Sequence, residues 1–204
     1  MRISNRLEKH AIAASMVALG AAAVTNAAIV RWNANLVIPA NIDGLYINVV
    51  TQGTATVGSD IAGWDINPYG GTTMNFFAST AAPNPASTYV RTQASGGPSS
   101  LAGGTVISGA STFANSTTAV ISSAGVGSNG WQLNAINYFG FRFYNESAGA
   151  INYGYGAMQV GATAATRTLL FVEYGNAGES VTVVPAPGAI ALLGLAGFAG
   201  RRRR

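Results

Sequence analysis

The 204-residue chain contains no cysteine, one histidine and one lysine, and only 9% of its residues are charged. His10 and Lys9 both lie in the first ten residues. Beyond them, a Ser-His-Asp triad, a Cys-His nucleophile or a His- or Cys-ligated zinc or copper site has no residues to be built from. Without disulfides, the fold must be held by core packing and strand pairing. The stretch Thr92 to Phe141 has no charged side chain at all. Between Ala28 and Val184 the basic residues are Arg31, Arg91, Arg142 and Arg167, against Asp43, Asp60, Asp65, Glu146, Glu173 and Glu179. Four minus six gives −2, although the whole chain is +4. The positive charge therefore belongs to the two ends, and a nucleic-acid footprint is missing.

What is there begins with a tripartite leader. Met1 to His10 carries Arg2, Arg6 and Lys9, and Ala11 to Val24 is apolar. Thr25-Asn26-Ala27 then supplies small residues at the two positions a signal peptidase reads. This is the pattern of a secretory signal peptide over residues 1–27. Cleavage is expected after Ala27, with the bond after Ala28 as second choice. A membrane helix is the other reading, but the run is short and the small-residue site follows at once.

The other end has three parts: Val184-Pro185-Ala186-Pro187-Gly188, the uncharged run Ala189 to Gly200, and Arg201, Arg202, Arg203 and Arg204. A spanning helix needs roughly 20 apolar residues. The 12 residues of this run make about 18 Å of helix at 1.5 Å per residue. That suits a temporary stop better than a permanent anchor. The arginines resist transfer and hold the end on the cytoplasmic side.

The last twenty residues resemble the PEP-CTERM sorting signal of bacterial exported proteins. Ala186 stands where that family usually has Glu. The stretch GFRF…YGYGAMQV…LLFVEY is also similar to the last strands of many such proteins. The resemblance implies recognition of residues 184–204 by a membrane-embedded exosortase-like protease and release to the cell surface or extracellular matrix. A plain C-terminal membrane anchor is the alternative.

Residues 28–183 have the length of one domain with its own core. Ala28–Pro39 reads as a strand with Ile29, Leu36 and Ile38 inward. Leu45–Thr51, Thr54–Val57, Thr72–Ser79 and Ser87–Thr92 read as further strands. Asp60–Tyr69 holds Trp64 and ends in the turn signal Asn-Pro-Tyr-Gly-Gly. Thr92 to Gly130 reads as long surface loops with edge strands at Thr105–Ser108 and Thr118–Ser122, or as a flexible Gly/Ser insert. In Asn137–Asn145, Phe139, Phe141 and Phe143 recur at period two, opposite Tyr138, Gly140, Arg142 and Tyr144. Ile151–Val160 is its expected neighbour, and Thr166–Tyr174 the next strand. Gly175–Gly178 is expected to close a hairpin into Ser180–Val184. No segment of this domain reads as a helix. The fold class is all-β, a single sandwich or jelly roll, flanked by a signal-peptide helix and a short C-terminal transmembrane helix.

Candidate chemistry is sparse. Glycosidases need two carboxyls about 5–10 Å apart, and Asp60/Asp65 or Glu146/Glu173 are arithmetically available. Asp43, Asp60, Asp65 and Asn67 offer oxygen ligands to calcium, without a twelve-residue calcium loop. Acids in turns, capping backbone amides, explain these residues more simply. Trp32, Trp64, Trp131, Tyr69, Tyr138, Tyr144, Tyr153 and Tyr155 would stack on sugars if exposed together, with Tyr138 and Tyr144 the best placed.

The expectation is a structural or matrix protein without catalytic, metal or cofactor residues. Its partners would be signal peptidase, an exosortase-like protease during transient membrane insertion, and extracellular polysaccharide. A carbohydrate-binding module is the alternative. A glycosidase-like enzyme is the third reading.

Overall fold

In the computed structural model, residues 28–93, 97–115, 119–122 and 127–185 are described. Residues 1–27, expected to be a signal peptide, the motif residues Ala186, Pro187 and Gly188, the apolar run and Arg201 to Arg204 lie outside them. The described strands are β1 (Val30–Trp32), β2 (Leu36–Val37), β3 (Tyr46–Ile47), β4 (Thr54–Ala55), β5 (Asn67–Tyr69), β6 (Thr73–Phe77) and β7 (Tyr89–Val90), followed by β8 (Val106–Ile107), β9 (Phe113–Ala114), β10 (Ile121–Ser122), β11 (Ala135–Asn145), β12 (Ala150–Val160), β13 (Arg167–Tyr174) and β14 (Val181–Thr182). Two 3-10 turns, Gly58–Asp60 and Ser128–Gly130, are the helical elements among the described residues. The protein is all-β, and its strands pair antiparallel.

The main sheet runs β1-β13-β12-β11-β7-β9, with β2 also on β13. Its centre is the β11–β12 ladder, from Ala135 opposite Val160 to Asn145 opposite Ala150. The period-two pattern sorts this sheet into two apolar faces. Phe139, Phe141 and Phe143 are buried on one face, opposite Gly156, Gly154 and Asn152. That face packs with Met74, Phe76, Ile47, Ile66, Ile121 and Trp131 in the larger core. The Phe76 and Phe139 rings lie 4.9 Å apart between centroids. On the other face Tyr155, Ala157 and Phe171 pack with Val90, Leu101, Ile107, Val181 and Val183 in a second core. A β-bulge between Ala157 and Met158 changes the register against β13. Leu169 thereby enters the larger core and Phe171 the second, although they are two residues apart.

Several expectations are corrected. Ala28–Pro39 is two strands, interrupted at Asn35 with φ +49°. Ile29 is exposed, Leu36 half-buried and Ile38 buried. Asn-Pro-Tyr is strand rather than turn, with Pro68 opposite Phe76. The proline is tolerated because β5 is an edge strand of the β10-β6-β5 sheet. The uncharged segment contributes buried Leu101, Ile107, Val120, Ile121 and Trp131, and β9 forms an edge of the main sheet. Part of Thr118–Ser122 lies outside the described residues, and β10 covers its last two positions. Finally, β14 pairs with β8, Val181 opposite Ile107, and not with β13. The Gly175–Gly178 turn therefore carries the chain across to another sheet.

Candidate functional site

The junction between the folded domain and the proline motif is built from residues of both. β14 is followed by two further backbone bonds: Val183 N–H donates to Thr105 O at 2.9 Å, and Gly104 N–H donates to Val183 O at 2.9 Å. Val183 is buried, and Val184 is 57% exposed. Even so, Val184 N–H donates to Tyr155 Oη at 3.4 Å. Pro185 is half-buried. Its ring lies against Gly103, where a Cβ would fall 2.6 Å from Pro185 Cγ.

Tyr155 is held in turn by a row of cross-strand partners. Arg31, Glu173 and Tyr155 are neighbours across β1, β13 and β12. The Tyr155 hydroxyl donates to Glu173 Oε2, and Arg31 Nη1 pairs with Glu173 Oε1. Arg31 also sits 3.8 Å above the Phe171 ring centroid, which keeps the guanidinium flat on the sheet. Burial first, and then the bond to Glu173, pushes the Tyr155 phenol above its ordinary range. It therefore stays protonated and keeps its one donor for Glu173. Ala28 and Ile29 are exposed just ahead of β1. One row of side chains thus ties the start of the domain to its end.

The aromatic candidates separate. Trp131 is fully buried and donates Nε1–H to Pro98 O at 2.7 Å. Tyr155 is 1% exposed. Neither offers a ring to a sugar, which corrects two of the expected positions. Trp32 is half-buried and packs on the larger core. Tyr138 is half-buried against Tyr155 and Phe171, with ring centroids 6.5 Å from each. Between Tyr138 and Tyr144, Arg142 lies 4.4 Å over Phe113, which stacks on Tyr153. β9 thus divides the face, and Tyr138 and Tyr144, both half-buried, do not form one open platform. Tyr69 is half-buried on β5, and Trp64 packs edge-on against Tyr46 at 4.9 Å.

The carboxylates are also regrouped. Asp43 and Asp60 are exposed, and the Asn67 amide is used on Asp43 O at 2.8 Å. Among the described residues no three of Asp, Glu, His and Cys come together to hold a metal. The candidate calcium ligands Asp43, Asp60 and Asp65 do not come together among the described residues. Glu173 is taken by Arg31 and Tyr155, whereas Glu146 reaches Gly63. Asp65 is 3% exposed. Its Oδ2 accepts Val49 N–H at 2.8 Å, and its buried Oδ1 has no partner. Burial, reinforced by the charge of Glu146, raises its carboxyl to about 8. Asp65 is thus neutral at pH 7, and its neighbour in charge is Glu146 rather than Asp60.

Sequence reasoning missed Arg167, which is 1% exposed. Nη1 donates to Thr73 O and Ala164 O at 3.0 and 3.1 Å. Nη2 donates to Pro39 O at 2.8 Å and to Gly70 O. Burial lowers its pKa to about 10, so the guanidinium is charged and clamps four backbone carbonyls, three in loops and one at the start of β6. The one signal for it was a lone arginine among the uncharged residues ahead of LLFVEY.

No helix of the described residues is long and apolar enough to cross a membrane. No protein-family model matches this chain, and neither a curated protein nor a solved structure matches it.

Proposed function

We propose that this chain is an exported structural or matrix protein, sorted to the bacterial surface by its C-terminal tail and without a catalytic role. The domain is read as one β-sandwich, with the main sheet as one layer and β5, β6 and β10 in the other. The observation that carries the sorting reading is the sequence at the end of the chain: Pro185 and Pro187, the uncharged run Ala189 to Gly200, and Arg201 to Arg204. Val183 is buried and Val184 exposed, and Val184-Pro185 opens the proline motif. At the other end, β1 starts three residues after Ala27, which leaves room for signal peptidase cleavage after Ala27 or Ala28. Low charge and a surface rich in Ser, Thr, Gly and Asn suit packing into a polysaccharide-containing matrix.

Fractionation of cells expressing the chain tests this reading. The wild-type protein is expected in the surface or matrix fraction. Each arginine resists membrane transfer by about 2.5–3.5 kcal/mol. Replacing Arg201 to Arg204 with Ser should therefore send the chain through the membrane uncut. A wild-type protein found only in the cytoplasm, or permanently in the inner membrane, would refute it.

A further inference from the structure

We propose that Tyr155 and Gly103 latch Val184 and Pro185 onto the folded domain, so that the cut removing the tail falls on the C-terminal side of Pro185. That a cut occurs rests on the sorting reading; the latch rests on geometry alone. Proteases bind their substrates as extended chain over several residues, and a segment already paired must first open. Here the chain is occupied without a break. Thr182 pairs with Val106, and Val183 bonds Thr105 and Gly104. Val184 N–H meets Tyr155 Oη, and the Pro185 ring fills the space above Gly103.

Two features make the hold more than a frayed strand end. Tyr155 is fixed from beneath, because Glu173 and Arg31 occupy its hydroxyl and its carboxylate partner. Gly103 leaves the proline a seat that any side chain would fill. The Val184–Pro185 bond is moreover a tertiary amide with no N–H for a protease to grip. The latch also depends on β1, since Arg31 completes the row. The end of the domain is therefore fixed only once the new N-terminal strand has docked.

The test uses the full chain purified in detergent. Wild type is compared with Tyr155→Phe, which keeps the ring and removes the acceptor, and with Gly103→Ala, an exposed position outside the sheet. Hydrogen exchange at Val184 N–H should quicken about tenfold in Tyr155→Phe, the scale of one net hydrogen bond, and should also quicken in Gly103→Ala. Trimming with proteinase K, read by mass spectrometry, should stop at Pro185 or beyond in wild type and run on to Val183 or Thr182 in both variants. Wild type trimmed past Val184 as readily as the variants would overturn the latch. So would a Gly103→Ala variant with unchanged exchange and unchanged trimming. On the natively exported protein, four retained arginines would sink the sorting reading but not the latch. A native C-terminus at Val184 or earlier would sink the latch but not the sorting reading.

Discussion

Phe139 lies directly opposite Gly156 in the β11–β12 ladder, and its ring covers that glycine: a Cβ at Gly156 would fall 2.5 Å from the ring. Phe141 covers Gly154 in the same way, at 3.0 Å. On the opposite face Gly140 is paired with Tyr155, and a Cβ there would meet Val90, Ile107 and Leu101 within 2.9 Å. The FGF and YGYG segments interlock because Gly154 and Gly156 leave room for the Phe141 and Phe139 rings, and Gly140 leaves room for Val90, Leu101 and Ile107.

Phe139→Ala should therefore cost about 3–5 kcal/mol, and Gly156→Ala about 1–3 kcal/mol through overpacking. The two should not add, because truncating the ring removes the clash. Urea titration of the single and double variants reads this coupling. Strict additivity would mean that the ring does not sit over Gly156.

Asp65 predicts a pH dependence. Its carboxyl is raised in the fold to about 8, from an ordinary 3.8. A raised acid favours the folded state while it is protonated there. Its contribution is therefore full below about pH 4 and is lost as pH rises to about 8, at a rate approaching ~1.4 kcal/mol per pH unit. Glu146, Tyr89 and Tyr174 share this electrostatic neighbourhood. In Asp65→Asn the loss between pH 5 and 8 should flatten. An equal slope in both proteins would assign the effect elsewhere.

Arg167 predicts a large structural penalty. Truncation to Ala would leave the carbonyls of Pro39, Gly70, Thr73 and Ala164 without their donor. A loss of about 3–5 kcal/mol is expected, because several carbonyls lose their donor together at about 1–3 kcal/mol for each that stays buried and unsatisfied. Arg167→Lys should recover only part of it, because an ammonium cannot reproduce the planar fork. Thermal melts of both variants decide the matter. A lysine variant as stable as wild type would contradict the fork geometry.

The long strands were legible because their aromatics alternate. A period of two, sustained from Phe139 to Phe143 and answered by YGYG, has no helical counterpart. The faces were less legible. Tyr138 and Tyr155 carry the same pattern whether their side is wet or covered. What covers it is Val90 of β7 together with Leu101 and Ile107 from the weakly patterned segment. Arg167 was missed, and the burial of Asp65 was not legible, for a related reason. Their burial depends on groups far along the chain, such as Pro39 O and Val49 N, and no local spacing announces those. The Gly175–Gly178 turn has hairpin composition, yet β14 finds β8 because Val181 and Val183 complete the second core.

The central claim is that a folded β domain is delivered from between two removable targeting segments. Intact-mass and terminal-peptide mass spectrometry of the surface-associated protein tests it most directly. The account predicts an N-terminus at Ala28, or at Ile29 if cleavage follows Ala28, and a C-terminus between Pro185 and Gly188. A surface protein still ending in Arg201 to Arg204 would contradict it.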